Sequence, residues 1–181
     1  MSKKPLISAN EIRERLTELA REIDAEFDYD IMLPALTGAY IFTADLSRAL
    51  ATVQQERAIK KQIAFIKASS YGDSTVSSGE LKVTGLDIID IHGKKILLVD
   101  DIADTGTTLL NLTRLLREKG AKEVRTCVLL NKQERREVEI KADFVGFEIA
   151  NEFVVGYGLD FANEYRTLPD IWTLHETETH G

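Results

Sequence analysis

The segment ILLVDDIADTGTTLL, Ile96 to Leu110, sets the tightest limit on what this chain can fold into. An apolar run that ends in two acids, a turn of small residues, and then leucines at helical spacing reads as strand, turn and helix. The helical pattern continues from Thr107 to Lys119, Gly120 stands in the C′ position, and Val124 to Leu130 is again β-branched and apolar. Strand, helix and strand within about 35 residues form a βαβ unit, whose strands are parallel. The expected fold is therefore α/β, a parallel sheet flanked by helices.

The flanking sequence extends that pattern. Ser8 and Glu11 have capping-box spacing, and Ile12, Leu16, Leu19, Ile23 and Phe27 recur at steps of three and four, which predicts a helix from Ala9 to Phe27. Ile31 to Leu36 reads as a strand, Thr37-Gly38 as a tight turn, Tyr40 to Ala51 as a helix and Gln62 to Ala68 as a strand. Between Ser69 and Glu80 the sequence is small and polar with few apolar anchors, which predicts a mobile loop. Leu81 to Ile91 follows as a strand and His92-Gly93 as a turn; Asp143 to Ile149 and Phe153 to Tyr157 complete or flank the sheet. His175 to Gly181 is a polar tail, expected to be disordered. Residues 1–181 read as a single domain, a usual size for one hydrophobic core.

Charge narrows the partners. A net charge of −7 disfavours nucleic acid and anionic membranes, so a polyanionic substrate would need local compensation. No apolar run reaches the roughly 18 residues of a membrane span, and the two lysines near the start precede no signal-like stretch, so a cytoplasmic protein is expected. The single cysteine, Cys127, lies in the apolar run VRTCVLL and is expected as a buried hydrophobe. His92, His175 and His180 fall in a turn and the tail and receive no catalytic or metal role.

In a parallel sheet, ligands bind beyond the carboxyl ends of the strands, and here that end carries Asp100, Asp101, Asp104, Thr105, Gly106, Thr107 and Thr108. Because TGTT opens a helix, backbone N–H groups, hydroxyls and the positive end of the helix dipole converge on a point suited to a phosphate monoester. Gly106 lets the backbone approach closely. The acids would repel that phosphate, so they must face hydrogen-bond donors or positive charge, and ribose hydroxyls or Mg²⁺ both qualify. The competing interpretation makes Asp104 and Thr105 a helix cap and Asp100 and Asp101 solvated strand ends. The chain has no G-x-x-x-x-G-K-[ST], no G-x-G-x-x-G after a strand, no nucleophile elbow, no H-E-x-x-H and no C-x-x-C.

The segment resembles the phosphoribosyl pyrophosphate motif of the type I phosphoribosyltransferase family. Three further segments are similar to its hypoxanthine-guanine branch: LTGAYIFTADLSRAL, ASSYGDSTVSSGELKV and DFVGFEIANEFVVGYGLDFANEYRTLP. The resemblance implies a parallel sheet with a small hood built from the N- and C-terminal segments. It also implies transfer of phosphoribose from 5-phosphoribosyl 1-pyrophosphate to a 6-oxopurine, with Mg²⁺ as cofactor.

Residue by residue, the resemblance makes Asp104 the acid/base beside the purine imidazole edge, where a carboxylate can take the N7 proton as N9 bonds to C1′. It sets Lys132 against the 6-oxygen, Phe153 as the stacking aromatic and Val154 as the residue whose backbone reads the base. It assigns Asp160, with Asp100 and Asp101, to the metal and Arg166 to pyrophosphate. Ser70 and Tyr71 fall in the family's closing loop, which would shield an oxocarbenium-like sugar from water.

Two positions depart from the family pattern. Thr37 stands in the Leu36-Thr37-Gly38 turn where members often carry Lys or Arg, and Asp100 stands where many carry Glu. Thr37 and Gly38 are then expected to bind pyrophosphate through backbone N–H groups. A homodimer or homotetramer is implied by the resemblance alone. The rival from another class is a regulator that senses the ribose ligand without catalysis, disfavoured because Asp104, Lys132, Asp160 and Arg166 are all present and no basic face is evident. A transferase acting on xanthine or adenine is the nearer alternative.

Overall fold

The computed structural model describes residues 4–70 and 81–174. Strand β5, Lys95–Ala103, lies at the centre of the sheet because Ile96, Leu97, Leu98 and Val99 are apolar toward both faces, as a doubly covered parallel strand requires. It pairs in parallel with β1, Ile31–Leu36, and with β6, Glu123–Asn131. Strands β3 (Ile66–Ser70), β4 (Leu81–Thr84) and β7 (Phe144–Glu148) complete the order β4-β3-β1-β5-β6-β7, with the short β2, Gln62–Ile63, also paired to β1. Only the β3–β4 pair is antiparallel in that sheet.

Alternation along β5 builds the two cores. Leu97 and Val99 pack with Leu19 and Ile23 of α1 (Ala9–Glu26) and with Phe42 and Leu46 of α2 (Tyr40–Gln54). Ile96 and Leu98 face the other way, onto Leu109, Leu112 and Leu116 of α3, Thr107–Glu118. The capping box predicted for α1 is present: Glu11 N–H donates to Ser8 Oγ at 3.3 Å, and Ser8 N–H donates to the Glu11 carboxylate at 2.8 Å. Gly120, with φ of 91°, terminates α3 as expected.

Several element boundaries differ from the sequence expectation: α2 runs on to Gln54, and the strand expected over Phe153 to Tyr157 is confined to Val154–Val155. The strand expected over Gln62 to Ala68 is split into β2 and β3, which pair with successive parts of β1. The strand expected from Leu81 to Ile91 stops at Thr84, because Gly85 turns into left-handed conformation with φ of 90°, and a short 3-10 turn, Leu86–Ile88, follows. Ser69 and Ser70 belong to β3 and not to the expected loop; the remainder of that loop, residues 71–80, and the tail from His175 lie outside the described residues.

The terminal segments meet over the carboxyl ends of the strands. Leu6 N–H donates to Ile171 O at 2.8 Å, Ile7 bridges Ile171, and Ala9 N–H donates to Asp170 Oδ1 at 2.7 Å. Beside them β8, Val154–Val155, pairs antiparallel with β9, Trp172–Thr173. This is the hood expected from N- and C-terminal segments.

Candidate active site

Because β1 and β5 are adjacent and parallel, the turn after one lies beside the loop after the other. A cavity of about 320 Å³ opens there, and Thr37, Gly38, Asp100, Asp101, Asp104, Thr105, Gly106 and Thr108 all line it. Thr107 is not in the lining; its hydroxyl lies 3.3 Å from that of Thr105. A larger cavity of about 550 Å³ lies between α1, α2 and the hood, and its one carboxylate is already engaged: Tyr157 donates to Asp45 at 2.6 Å and Arg48 pairs with the same group. The smaller cavity is the one with convergent, available chemistry.

Helix α3 begins at Thr107 with Gly106 as its N-cap, which has no side chain to offer; the hydroxyl of Thr105 accepts from Thr107 N–H at 3.4 Å, and Asp104 makes no hydrogen bond to the helix. The helix-cap explanation of Asp104 therefore fails. Instead, Asp104 Oδ1 is shut off from solvent without a hydrogen bond, and Arg135 Nε stands 3.3 Å away at an angle that makes an ion pair only. Gly106 is left-handed, with φ of 86°, and a Cβ there would lie 2.7 Å from Arg136 Nη1 and from Ile140. The left-handed φ is what demands glycine at 106, and the side chains of Arg136 and Ile140 close over the place a Cβ would take.

Asp100 and Asp101 keep part of their surface open to the cavity although they lie deep in the fold. Burial raises the Asp100 carboxyl well above the usual carboxylate range, and the adjacent charge of Asp101 adds to the rise. Asp101 is also raised by burial, against the opposing pull of hydrogen bonds, including Ile102 N–H at 2.9 Å, and of the Arg166 charge. Two buried acids with such raised affinities call for protons, diol donors or a cation. Among the described residues no group of three or more His, Cys, Asp or Glu side chains forms a metal cage. The pair fits Mg²⁺, which commonly uses one or two carboxylates together with substrate phosphates.

The turn after β1 is held from two sides. The Leu36–Thr37 peptide is cis, a Cβ on Gly38 would overlap the Asp101 carboxylate, and a Cβ on Gly158 would overlap the Gly38 carbonyl. Gly158 belongs to the loop that carries Asp160, a candidate for the metal, and Arg166, a candidate for pyrophosphate. There Arg166 Nη1 donates to Gly158 O at 2.8 Å and Nη2 pairs with Asp160 at 2.9 Å, while Asp160 also accepts from Asn163 N–H at 2.8 Å. Neither Asp160 nor Arg166 lines the 320 Å³ cavity; both lie next to it through this packing.

The three candidate base-reading residues sit around the hood. Lys132 is buried directly after β6, with its N–H donating to Ala103 O at 2.9 Å. Phe153 is 49% exposed and meets Phe161 edge-on, leaving ring surface free. Leu174 N–H donates to Phe153 O at 2.9 Å, so Val154 is the non-hydrogen-bonded partner of Thr173 and its own N–H and C=O point away from β9. Tyr71 lies outside the described residues, and Ser70 ends β3. Sequence reasoning missed Arg135 and Arg136, whose contacts with Asp104 and Gly106 cross between two loops and leave no local spacing signal.

A cavity lined by hydroxyls, a glycine turn and an acid pair at the carboxyl ends of a parallel sheet defines an α/β ligand-binding class of protein, and the chain belongs to the phosphoribosyltransferase family: residues 7–162 match the phosphoribosyl transferase domain model. Similar proteins include the hypoxanthine-guanine phosphoribosyltransferase of Aquifex aeolicus (strain VF5), 41% identical over 96% of this chain and 95% of the relative. That of Bacillus subtilis (strain 168) is 42% identical over 94% of this chain and 92% of the relative. Among solved structures, hypoxanthine phosphoribosyltransferase from Trypanosoma cruzi, in complex with the product IMP, superposes with a TM-score of 0.86 at 34% identity, covering 97% of this chain and 96% of that one.

Proposed function

We propose that this chain catalyses a purine salvage reaction, transferring phosphoribose from 5-phosphoribosyl 1-pyrophosphate to hypoxanthine or guanine and giving IMP or GMP plus pyrophosphate. One observation carries the reading: Thr37-Gly38, Asp100-Asp101, Asp104 to Gly106 and Thr108 converge on one cavity at the carboxyl ends of neighbouring parallel strands. Relatives named for this activity at 41% and 42% identity support it.

The chemistry follows from the residues. The C1′–oxygen bond to pyrophosphate breaks, the C1′–N9 bond forms, and the imidazole proton of the base leaves. Asp104 takes or shares that proton at N7 and, as an anion, stabilises positive charge on the sugar. The open N-terminus of α3 and the hydroxyls of Thr105 and Thr108 hold the 5-phosphate, Asp100 and Asp101 accept from the ribose diol, and Thr37, Gly38 and Arg166 hold pyrophosphate. Mg²⁺ held by Asp100, Asp101 or Asp160 would neutralise charge building on the leaving pyrophosphate. Lys132 donates to the 6-oxygen, Phe153 stacks on the base and the free backbone groups of Val154 read its edge. Ser70, the last residue of β3, leads into a loop that carries Tyr71 and closes over pyrophosphate. The chain acts as a single domain within a cytoplasmic homodimer or homotetramer. No helix among the described residues is long and apolar enough to cross a membrane.

The test is to incubate the purified chain with 5-phosphoribosyl 1-pyrophosphate, Mg²⁺ and hypoxanthine, guanine, xanthine or adenine in turn. IMP or GMP is the expected product. No nucleotide with any base would favour a ligand-sensing regulator, and a product with adenine or xanthine alone would move the protein to another substrate.

A further inference from the structure

The segment from Lys132 to Glu137 runs back along the loop from Ala103 to Gly106 and is fastened to it at successive points. Lys132 N–H donates to Ala103 O at 2.9 Å, Glu137 N–H donates to Thr105 O at 3.0 Å, and between them Arg135 Nε stands 3.3 Å from Asp104 Oδ1. Arg136 packs against Gly106 and is itself tied through Nη2 to Asn131, whose amide donates to both oxygens of Glu148 at 3.0 and 2.9 Å. The strap is thus fixed at its base as well as along its length.

Asp104 is held asymmetrically by this strap. Its Oδ1 is buried and receives no hydrogen bond, yet the side chain as a whole is 35% exposed, so the exposure falls on the remaining atoms. A carboxylate turns about its terminal torsion in a broad, two-fold well. The two oxygens are equivalent, so a cation beside one of them does not choose between them; it fixes the plane of the carboxylate and so the direction in which the other oxygen points.

We propose that Arg135 is a positioning residue for phosphoribosyl transfer: it holds Asp104 Oδ1 at the strap and thereby presents Oδ2 to the imidazole edge of the purine. The inference rests on Asp104 being the acid/base. Arg135 does not line the 320 Å³ cavity; it acts through Asp104. The strap also begins at Lys132, so the residue that donates to the 6-oxygen and the residue that orients the acid/base are carried by one rigid turn.

The experiment is a double-mutant cycle on the full chain with 5-phosphoribosyl 1-pyrophosphate, Mg²⁺ and hypoxanthine, using Arg135→Ala, Arg135→Lys, Asp104→Asn and the Arg135→Ala/Asp104→Asn double variant. Arg135→Ala should lower kcat about fivefold, the scale of a partly exposed ion pair, without moving KM for the phosphoribosyl donor. Arg135→Lys, which keeps the charge, should recover most of that loss. In the Asp104→Asn background the Arg135→Ala change should have no further effect. Unchanged kcat in Arg135→Ala, a Lys variant as slow as the Ala variant, or an additional fivefold loss in the double variant would each overturn the proposal. Wild-type turnover in Asp104→Asn alone would instead overturn the acid/base assignment on which it rests.

Discussion

A methyl group on Gly38 would run into the carboxylate of Asp101. The turn after β1 and the acid pair at the end of β5 therefore share one boundary of the cavity, and the missing side chain sets its width. In Gly38→Ala either the turn or Asp101 must move. Overpacking of this kind costs about 1–3 kcal/mol in stability. The larger effect should be catalytic: kcat/KM for the phosphoribosyl donor should fall about 10²-fold, the size expected when reacting groups are displaced by about 1 Å. Steady-state kinetics beside a thermal melt would test this, and a variant with wild-type kcat/KM would mean that the turn does not form a ligand wall.

Asp104→Asn keeps the shape of the side chain and removes its basicity. With no helix-capping role to lose, the substitution should leave folding intact. Turnover should drop about 10²- to 10⁴-fold while KM for the phosphoribosyl donor stays within a few-fold, the pattern of an interaction made at the transition state. Circular dichroism on the same sample separates this from unfolding. A loss of donor affinity with kcat retained would reassign Asp104 to binding.

Much of the architecture was written in short-range patterns. The Ser8–Glu11 box, the apolar steps of α1, the doubly buried Ile96 to Val99 and the glycine after α3 all act within a few residues, so periodicity and capping located them. The DDIADTGTT loop was legible for the same reason, since both its phosphate-binding groups and its acids are contiguous. The strand after the polar loop was overextended because a glycine between two apolar stretches does not announce a left-handed turn, and Gly85 takes one. Arg135 and Arg136 look like exposed charges in sequence; their partners Asp104 and Gly106 lie on another loop and are brought to them by the β5–β6 pairing. Lys132, Phe153, Val154, Asp160 and Arg166 were reached through family resemblance, as none carries a local physical signature.

Lys132 is 5% exposed, an unusual position for a lysine and one that makes its chemistry selective. Under the proposed role, its ammonium would be satisfied by a 6-oxo group and left without an acceptor by a 6-amino group. Lys132→Ala should lower kcat/KM for hypoxanthine by about 10²-fold or more and narrow its advantage over adenine, because discrimination by a required hydrogen bond disappears with the donor. Competition assays with both bases in one tube measure the ratio directly. Retained discrimination would place the selectivity elsewhere, with the backbone of Val154 as the next candidate.

Asp100 lies in the carboxyl-terminal part of β5, on the cavity wall, and its electrostatics give a stability signature independent of turnover. Burial, reinforced by the neighbouring Asp101 charge, raises its carboxyl above the usual value of 3.8, so the folded chain holds a proton there that the unfolded chain has released. The stabilisation linked to that proton is fully present below the unfolded value and is lost as pH rises through the raised folded value. Asp100→Asn removes the titration but keeps an acceptor for Asp101 N–H, which in the parent chain donates to Asp100 Oδ1 at 2.9 Å. Without ligand and in the presence of a chelator, the variant's melting temperature should be close to the parent's at about pH 4 and exceed it increasingly toward neutrality. Adding 5-phosphoribosyl 1-pyrophosphate with Mg²⁺ at neutral pH should then stabilise the parent more than the variant, since diol donors and a cation relieve the buried charge only where it exists. A pH-independent gap between the two melting curves would show that the acid pair carries no unfavourable charge in the free protein, and would remove the electrostatic reason for assigning the ribose and metal to it.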